Sequence, residues 1–222
     1  MERRVPKTLE KPALARRTQA ERRLESERAL VGATISVVAR EGVSAATFES
    51  ICGRAGYSRG LVTQRFGSKD GLIEMVINHL HERHEALLSS AGIDALPGFE
   101  AVLRYVDLYL RDLSADSDGR AYFMLLSSAV ADATALRAAF AAEHKRVEHR
   151  LEALVLRGQA EGDIRREIDA DAAALMIGSL LLGLSMQLLV DPTTNLEPIR
   201  KTSLATLRLS FGTESSADRK AT

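Results

Sequence analysis

Tryptophan is absent from these 222 residues, cysteine occurs once, and aromatic residues make up only 5% of the chain. With Cys52 as the single thiol, no disulfide can form within the chain and no cysteine-built metal site is possible. Cys52 is expected to be a small buried packing residue rather than a redox sensor. Catalytic patterns are missing as well, with no glycine-rich phosphate loop, nucleophile elbow or metal-spaced cysteines. That argues against an enzyme, and no catalytic residue, metal or cofactor is expected. His81-Glu82-Arg83-His84 resembles a metalloprotease pair, but its histidines are three apart instead of four. A solvated helix face is therefore favoured there over a weak divalent-cation site shared with His79. Alternating strand patterns and internal repeats are also lacking. The periodicity is helical throughout.

Net charge is zero, from 30 Lys and Arg against 30 Asp and Glu, yet the charges are segregated. Up to Lys69 there are 14 basic against 7 acidic residues; from Asp70 onward there are 16 against 23. A basic first third on an acidic remainder suggests a polyanion partner for the first part alone. Residues 1–23 carry Lys7, Lys11, Arg16, Arg17, Arg22 and Arg23 beside Pro6 and Pro12. They read as a disordered basic arm, which either enters a minor groove or simply raises the local positive potential. Met1 to Arg28 is polar and lacks the apolar run of a signal peptide, so the expected location is the cytoplasm.

The most informative stretch is 47–70. Phe48, Ile51, Cys52 and Ala55 recur at helical spacing, and Gly56 is suited to the left-handed residue that ends such a helix. Ser58 is a suitable N-cap for the next helix, whose Val62 and Phe66 face inward. Arg59, Thr63 and Gln64 then face solvent, all able to bond phosphates or base edges. The pattern is a helix-turn-helix.

Thr47, Ile51, Ala55-Gly56, Ser58, Gly60, Phe66 and Ser68-Lys69, with Leu30, Ala33, Val37 and Glu41-Gly42 upstream, resemble the signature of the TetR family of transcriptional regulators. The resemblance covers about Leu24 to His84. It implies an all-α fold of about nine helices: a three-helix DNA-binding domain (24–84), a helical effector-binding and dimerisation domain (85–211) and a polar tail (212–222). By the same resemblance, Arg59 and Gln64 read bases, with Leu61 against a thymine methyl. Thr47, Tyr57, Thr63, Arg65 and Lys69 position phosphates, and Ser58 caps the reading helix. Two residues depart from the family pattern. Thr63 replaces a phosphate-contacting tyrosine, which reaches farther and can stack, and Arg65 replaces a common histidine and is the nearby group able to compensate.

Beyond the Lys69 helix, which runs to about Ser89, a break spans Gly92 to Pro97. A helix from Gly98 to about Leu113 has Val102, Val106, Tyr109 and Leu113 on one side. A polar loop is expected from Ser114 to Gly119, and an apolar helix from Tyr122 to Val130. From Ala135 to Glu161, Phe140, His144, Val147, Leu151 and Leu154 form an amphipathic stripe; Gly158, next on that face, is expected to pack nothing. Ala172 to Val190 carries no charge over 19 residues, long enough to span a membrane. It reads instead as a helix buried between two subunits, as its place in the family implies. Gly178 and Gly183 would allow close approach there, and Leu182 and Leu189 are among the expected interface positions. A last helix from about Leu196 to Phe211 presents Leu204, Leu207 and Phe211.

The expected function is a cytoplasmic homodimeric regulator, a repressor, bound to double-stranded operator DNA and released by a small hydrophobic effector. Tyr105, Tyr109, Tyr122 and His144 are its expected polar handles, although a core role is the default for His144. The alternatives are a helical dimeric interaction module, or an activator without small-molecule induction.

Overall fold

The computed structural model describes residues 18–113, 117–132 and 134–213. The basic positions up to Arg17 and the tail from 214 lie outside them. Nine α-helices are found among the described residues: α1 (Gln19–Glu41), α2 (Phe48–Ala55), α3 (Arg59–Phe66), α4 (Lys69–Ser90), α5 (Gly98–Asp112), α6 (Ser117–Ala131), α7 (Leu136–Glu161), α8 (Ala170–Val190) and α9 (Leu196–Phe211). A short 3-10 turn, Ile93–Ala95, fills the break before α5.

Local chemistry accounts for most helix starts. Thr18 accepts from the Glu21 amide while Glu21 bonds back to the Thr18 amide, a reciprocal cap. Ser58, Ser68, Asp169 and Asn195 cap α3, α4, α8 and α9 through their side-chain oxygens. Because the Thr18 cap starts α1 at Gln19, Arg22 and Arg23 are helical. The expected arm through residue 23 therefore gives way to a helix after 18. The expected loop to Gly119 is also shortened, since α6 already begins at Ser117.

Two hydrophobic cores organise the chain. The first gathers Leu30, Val37 and Val38 of α1, Ile51 and Cys52 of α2, Val62 of α3 and Leu72, Val76 and Ile77 of α4. Ala121, Leu125, Leu126 and Ala129 of α6 and Phe140 of α7 belong to it too. The second joins the end of α4 to α5, α7, α8 and α9 through Leu88, Val102, Val106, Leu151, Val155, Ile177, Leu204 and Phe211. The expected boundary after residue 84 thus falls inside α4, and α6 packs on α1. On the far side, α9 is tied to α5 by Arg200, which pairs with the largely buried Asp107. Arg111 approaches the same carboxylate at 3.0 Å.

Gly158 is a correction. It is fully enclosed where α7 crosses the start of α5, because a side chain there has no room. A Cβ on Gly98 would lie 2.1 Å from the Gly158 nitrogen and 2.6 Å from the Leu154 oxygen. One on Gly158 would lie 2.7 Å from the Ile164 Cδ1. The glycine pair lets two helix backbones touch. Gly178 and Gly183, in contrast, have nothing within 4 Å of a built Cβ in this chain. Leu182 and Leu189, expected at the interface, are half-buried and pack in part on the first core.

Gly98→Ala should therefore destabilise the fold by more than the ~1–3 kcal/mol usual for overpacking, since backbone atoms cannot yield as side chains do. Urea midpoints of Gly98→Ala and of Gly32→Ala, at an exposed helical position with nothing within 4 Å, check this. Equal shifts would contradict the crossing.

Candidate nucleic-acid interface and effector cavity

The turn between α2 and α3 has the geometry its sequence demands. Gly56 takes φ +74°, a left-handed conformation, and its amide closes α2 on the Cys52 carbonyl at 2.9 Å. Buried Val62 and half-buried Phe66 fix α3 on the first core and leave Arg59, Thr63 and Gln64 exposed. The Arg59 guanidinium sits 5.8 Å from the centre of the Phe48 ring, a cation–π placement that limits where it can swing. Thr63 Oγ1 donates to the Arg59 carbonyl at 3.2 Å.

The other predicted contacts divide by role. The Thr47 and Ser58 hydroxyls accept from the Ser50 and Leu61 amides at 3.2 and 3.4 Å, so both act as caps while remaining exposed. Leu61 is half-buried, Tyr57 packs its ring against the first core, and Lys69 opens α4 behind the Ser68 cap. Arg65 is turned toward α1, with Nη1 3.5 Å from Glu27 Oε1 and only 18% of its side chain exposed. Cys52 is buried, and burial raises its thiol pKa, which suits a packing residue and disfavours a reactive thiolate.

A cavity of about 300 Å³ opens among α4, α5, α6, α7 and α8. Most of its wall is apolar, and Tyr109, Tyr122 and His144 are among the residues that line it. Tyr105 does not. It is 1% exposed, and its hydroxyl lies 3.2 Å from His84 Nε2, so it supports the wall from behind. His84 and His81 line the cavity, which corrects the reading of that stretch as a solvated face. The signal was present in the sequence: His84 follows Leu80 by four residues and precedes Leu88 by four, along the inward stripe of α4. Among the described residues, no three His, Cys, Asp or Glu side chains are grouped to hold a metal ion.

Four nearby residues of α4 are each tied to another helix. His81 Nδ1 lies 3.0 Å from the Glu143 carboxylate of α7, and Arg83 pairs with Asp118 of α6. His84 meets Tyr105 of α5, and Glu85 is bonded by Arg150 of α7 at 2.7 Å. The Tyr109 hydroxyl, pushed up to about 12 chiefly by burial, bonds Ser185 of α8 at 2.9 Å. Burial also lowers the pKa of His84, with His81 and Arg150 adding to the effect and Glu85 opposing it. The pKa of His144 is lowered by burial too, against the pull of Glu143.

Both folded imidazoles thus resist a proton that the unfolded chain accepts near pH 6.5. The unfolded state binds more protons as pH falls, so stability is complete above that value and is lost below it. The urea midpoint should drop between pH 7 and 5, with a slope of up to ~1.4 kcal/mol per pH unit for each histidine. His84→Gln should flatten the dependence. An unchanged slope in that variant would contradict the assignment.

Comparison with known proteins adds lineage to this geometry. Residues 30–76 match the tetR family of bacterial regulatory proteins, and residues 99–210 match the C-terminal part of BetI-type transcriptional repressors. The HTH-type transcriptional regulator BetI of Paraburkholderia phytofirmans is 39% identical over 51 residues, covering 23% of this chain and 26% of that protein. The chain therefore spans about a quarter of the length of that curated relative. A TetR-family regulator from Rhodococcus sp. superposes with a TM-score of 0.75 at 23% identity, covering 85% of this chain and all of the other. A transcriptional regulator from Saccharomonospora viridis, solved in complex with choline, also gives 0.75, at 16% identity, over 86% of this chain and 100% of its own.

Proposed function

We propose that this chain, which belongs to the TetR family of bacterial transcriptional regulators, is a cytoplasmic repressor that binds a palindromic operator as a homodimer and leaves it when a small amphipathic effector enters the cavity. The observation that carries the reading is the exposed face of α3. A helix anchored by buried Val62 displays Arg59, Thr63 and Gln64, in the most basic third of the chain. Arg59 and Gln64 are the base readers, with Leu61 beside them. Thr47, Tyr57, Thr63 and Lys69 position the backbone.

The test is selection from random duplexes, followed by affinity against salt. A palindrome with half-sites a helical turn or a multiple apart should emerge, with affinity falling steeply as salt rises. Arg59→Ala or Gln64→Ala should relax preference at particular base pairs at ~1–3 kcal/mol per lost bidentate contact. Lys69→Ala should weaken every duplex alike. Lys69→Ala altering the selected sequence while Gln64→Ala leaves it intact would refute these roles.

The dimer reading rests on α8 and α9. Among the described residues, only α8 is long and apolar enough to cross a membrane, but only 28% of that stretch is buried within the chain. Its uncovered side carries Met176, Ser179, Gly183 and Val190 without a charge, and α9 leaves Leu209 82% exposed. A second copy covers these surfaces more readily than lipid, because α8 packs on α6 and α7 within a nine-helix body. Sedimentation without detergent should give a dimer, and Met176→Glu with Leu209→Glu should give a folded monomer. Full-length protein confined to membranes would overturn the reading.

The cavity supports a hydrophobic or amphipathic ligand rather than a sugar or nucleotide, whose polar groups would need more buried partners than this wall provides. The choline of the Saccharomonospora neighbour makes small organic cations the first amphiphiles to test. Tyr109 and Tyr122 offer ring faces to such a cation. A ligand there presses on α4 where it is tied to α5, α6 and α7, which favours a different spacing of the reading heads. In a thermal-shift screen, ligand at 100 times its Kd should stabilise the protein by ~2.7 kcal/mol and release the operator. Hits confined to polyols, nucleotides or metal ions would refute the amphipathic class.

A further inference from the structure

A second, more polar cleft of about 290 Å³ lies between the start of α1 and the end of α3, lined by Gln19, Arg23, Gln64 and Arg65. Two guanidinium groups converge there on one carboxylate oxygen. Glu27 Oε1 is 2.9 Å from Arg23 Nε and 3.5 Å from Arg65 Nη1. Two cations facing one anion leave the cleft with an excess positive charge, and two glutamine amides beside them can donate further hydrogen bonds. Gln64 belongs both to this cleft and to the exposed face of α3, so a duplex read by that face is next to the cleft.

We propose that this cleft is a phosphate site for the DNA backbone, formed by Arg23 and Arg65 with Gln19 and Gln64, and that Glu27 is the internal counter-ion which the phosphate displaces. In the free protein Glu27 holds the two arginines together and neutralises part of their charge. On DNA a phosphodiester takes over that role, and the carboxylate is left beside it as a standing repulsion. Glu27 is thus a positioning residue that also limits how tightly every duplex binds. The proposal rests on the DNA-binding reading and refines it, for it moves Arg65 from an isolated phosphate contact to one half of an arginine pair based on two helices.

The experiment measures affinity of the full chain for its selected duplex and for a random duplex, from 50 to 200 mM salt. Arg23→Gln should weaken both alike and make the slope of log affinity against log salt shallower by about 1. Glu27→Gln should do the reverse, tightening both by about fivefold and steepening the slope, while the selected sequence stays the same. In an Arg23→Gln, Arg65→Gln background the Glu27→Gln gain should vanish, which a double-mutant cycle reads directly. If Glu27 were only a tie between helices, Glu27→Gln would lower the melting temperature and weaken binding with no change in slope. That result, or an Arg23→Gln variant with the wild-type slope, overturns the proposal. A wild-type protein with no salt-dependent duplex binding would instead overturn the DNA-binding reading itself.

Discussion

The rigidity of α4 is the constraint on which the rest depends. Its 22 residues make a rod of about 33 Å, and both ends are built into cores. Leu72, Val76 and Ile77 lie in the first core, with the DNA-reading helices, and Leu88 lies in the second. Between them, His81, Arg83, His84 and Glu85 tie the rod to α5, α6 and α7. Close-packed cores do not deform continuously, so in the proposed mechanism a change at the cavity reaches α3 through movement of whole helices that join the two, α4 first among them.

A second route runs beside it. Tyr122 and Phe123 of α6 line the cavity, while Ala121, Leu125, Leu126 and Ala129 of the same helix pack in the core that holds α1, α2 and α3. The Arg83–Asp118 pair joins the two routes at the wall of the cavity. The sequence therefore places the helix-turn-helix and the cavity-forming helices in tandem, but the packing interleaves them. The expected boundary after residue 84 falls inside α4, near its C-terminal end.

Electrostatics is organised just as locally. The basic excess of the first third is not simply presented to solvent. Arg54 bonds Ser36 at 2.8 Å and pairs with Glu41, fixing α2 to α1, and Arg23 and Arg65 share Glu27. Arg59, Thr63 and Gln64 are left at the surface between these pairs. In the proposed function, these ion pairs hold α3 in place in the free protein, and the exposed groups between them meet the DNA.

The sequence by itself determined the helix-turn-helix, because each of its parts is a local requirement. Gly56 must adopt a positive φ, Ser58 must cap, Val62 must face inward, and none of these depends on distant contacts. The helical periodicity likewise placed α5, α7, α8 and α9 to within a few residues. Contacts between residues far apart in the chain were decided only by the tertiary structure. Gly158 had no visible purpose until Gly98 came within touching distance, 60 positions away. The α4 stripe marks His84 as facing inward, but only α5 supplies its partner, the Tyr105 hydroxyl, which lies behind the cavity wall and not on it. The partner that Arg65 meets in the free protein, Glu27, came only with the packing of α1 against α3. Periodicity says which way a side chain points along its own helix, and it carries no information about which other helix arrives opposite.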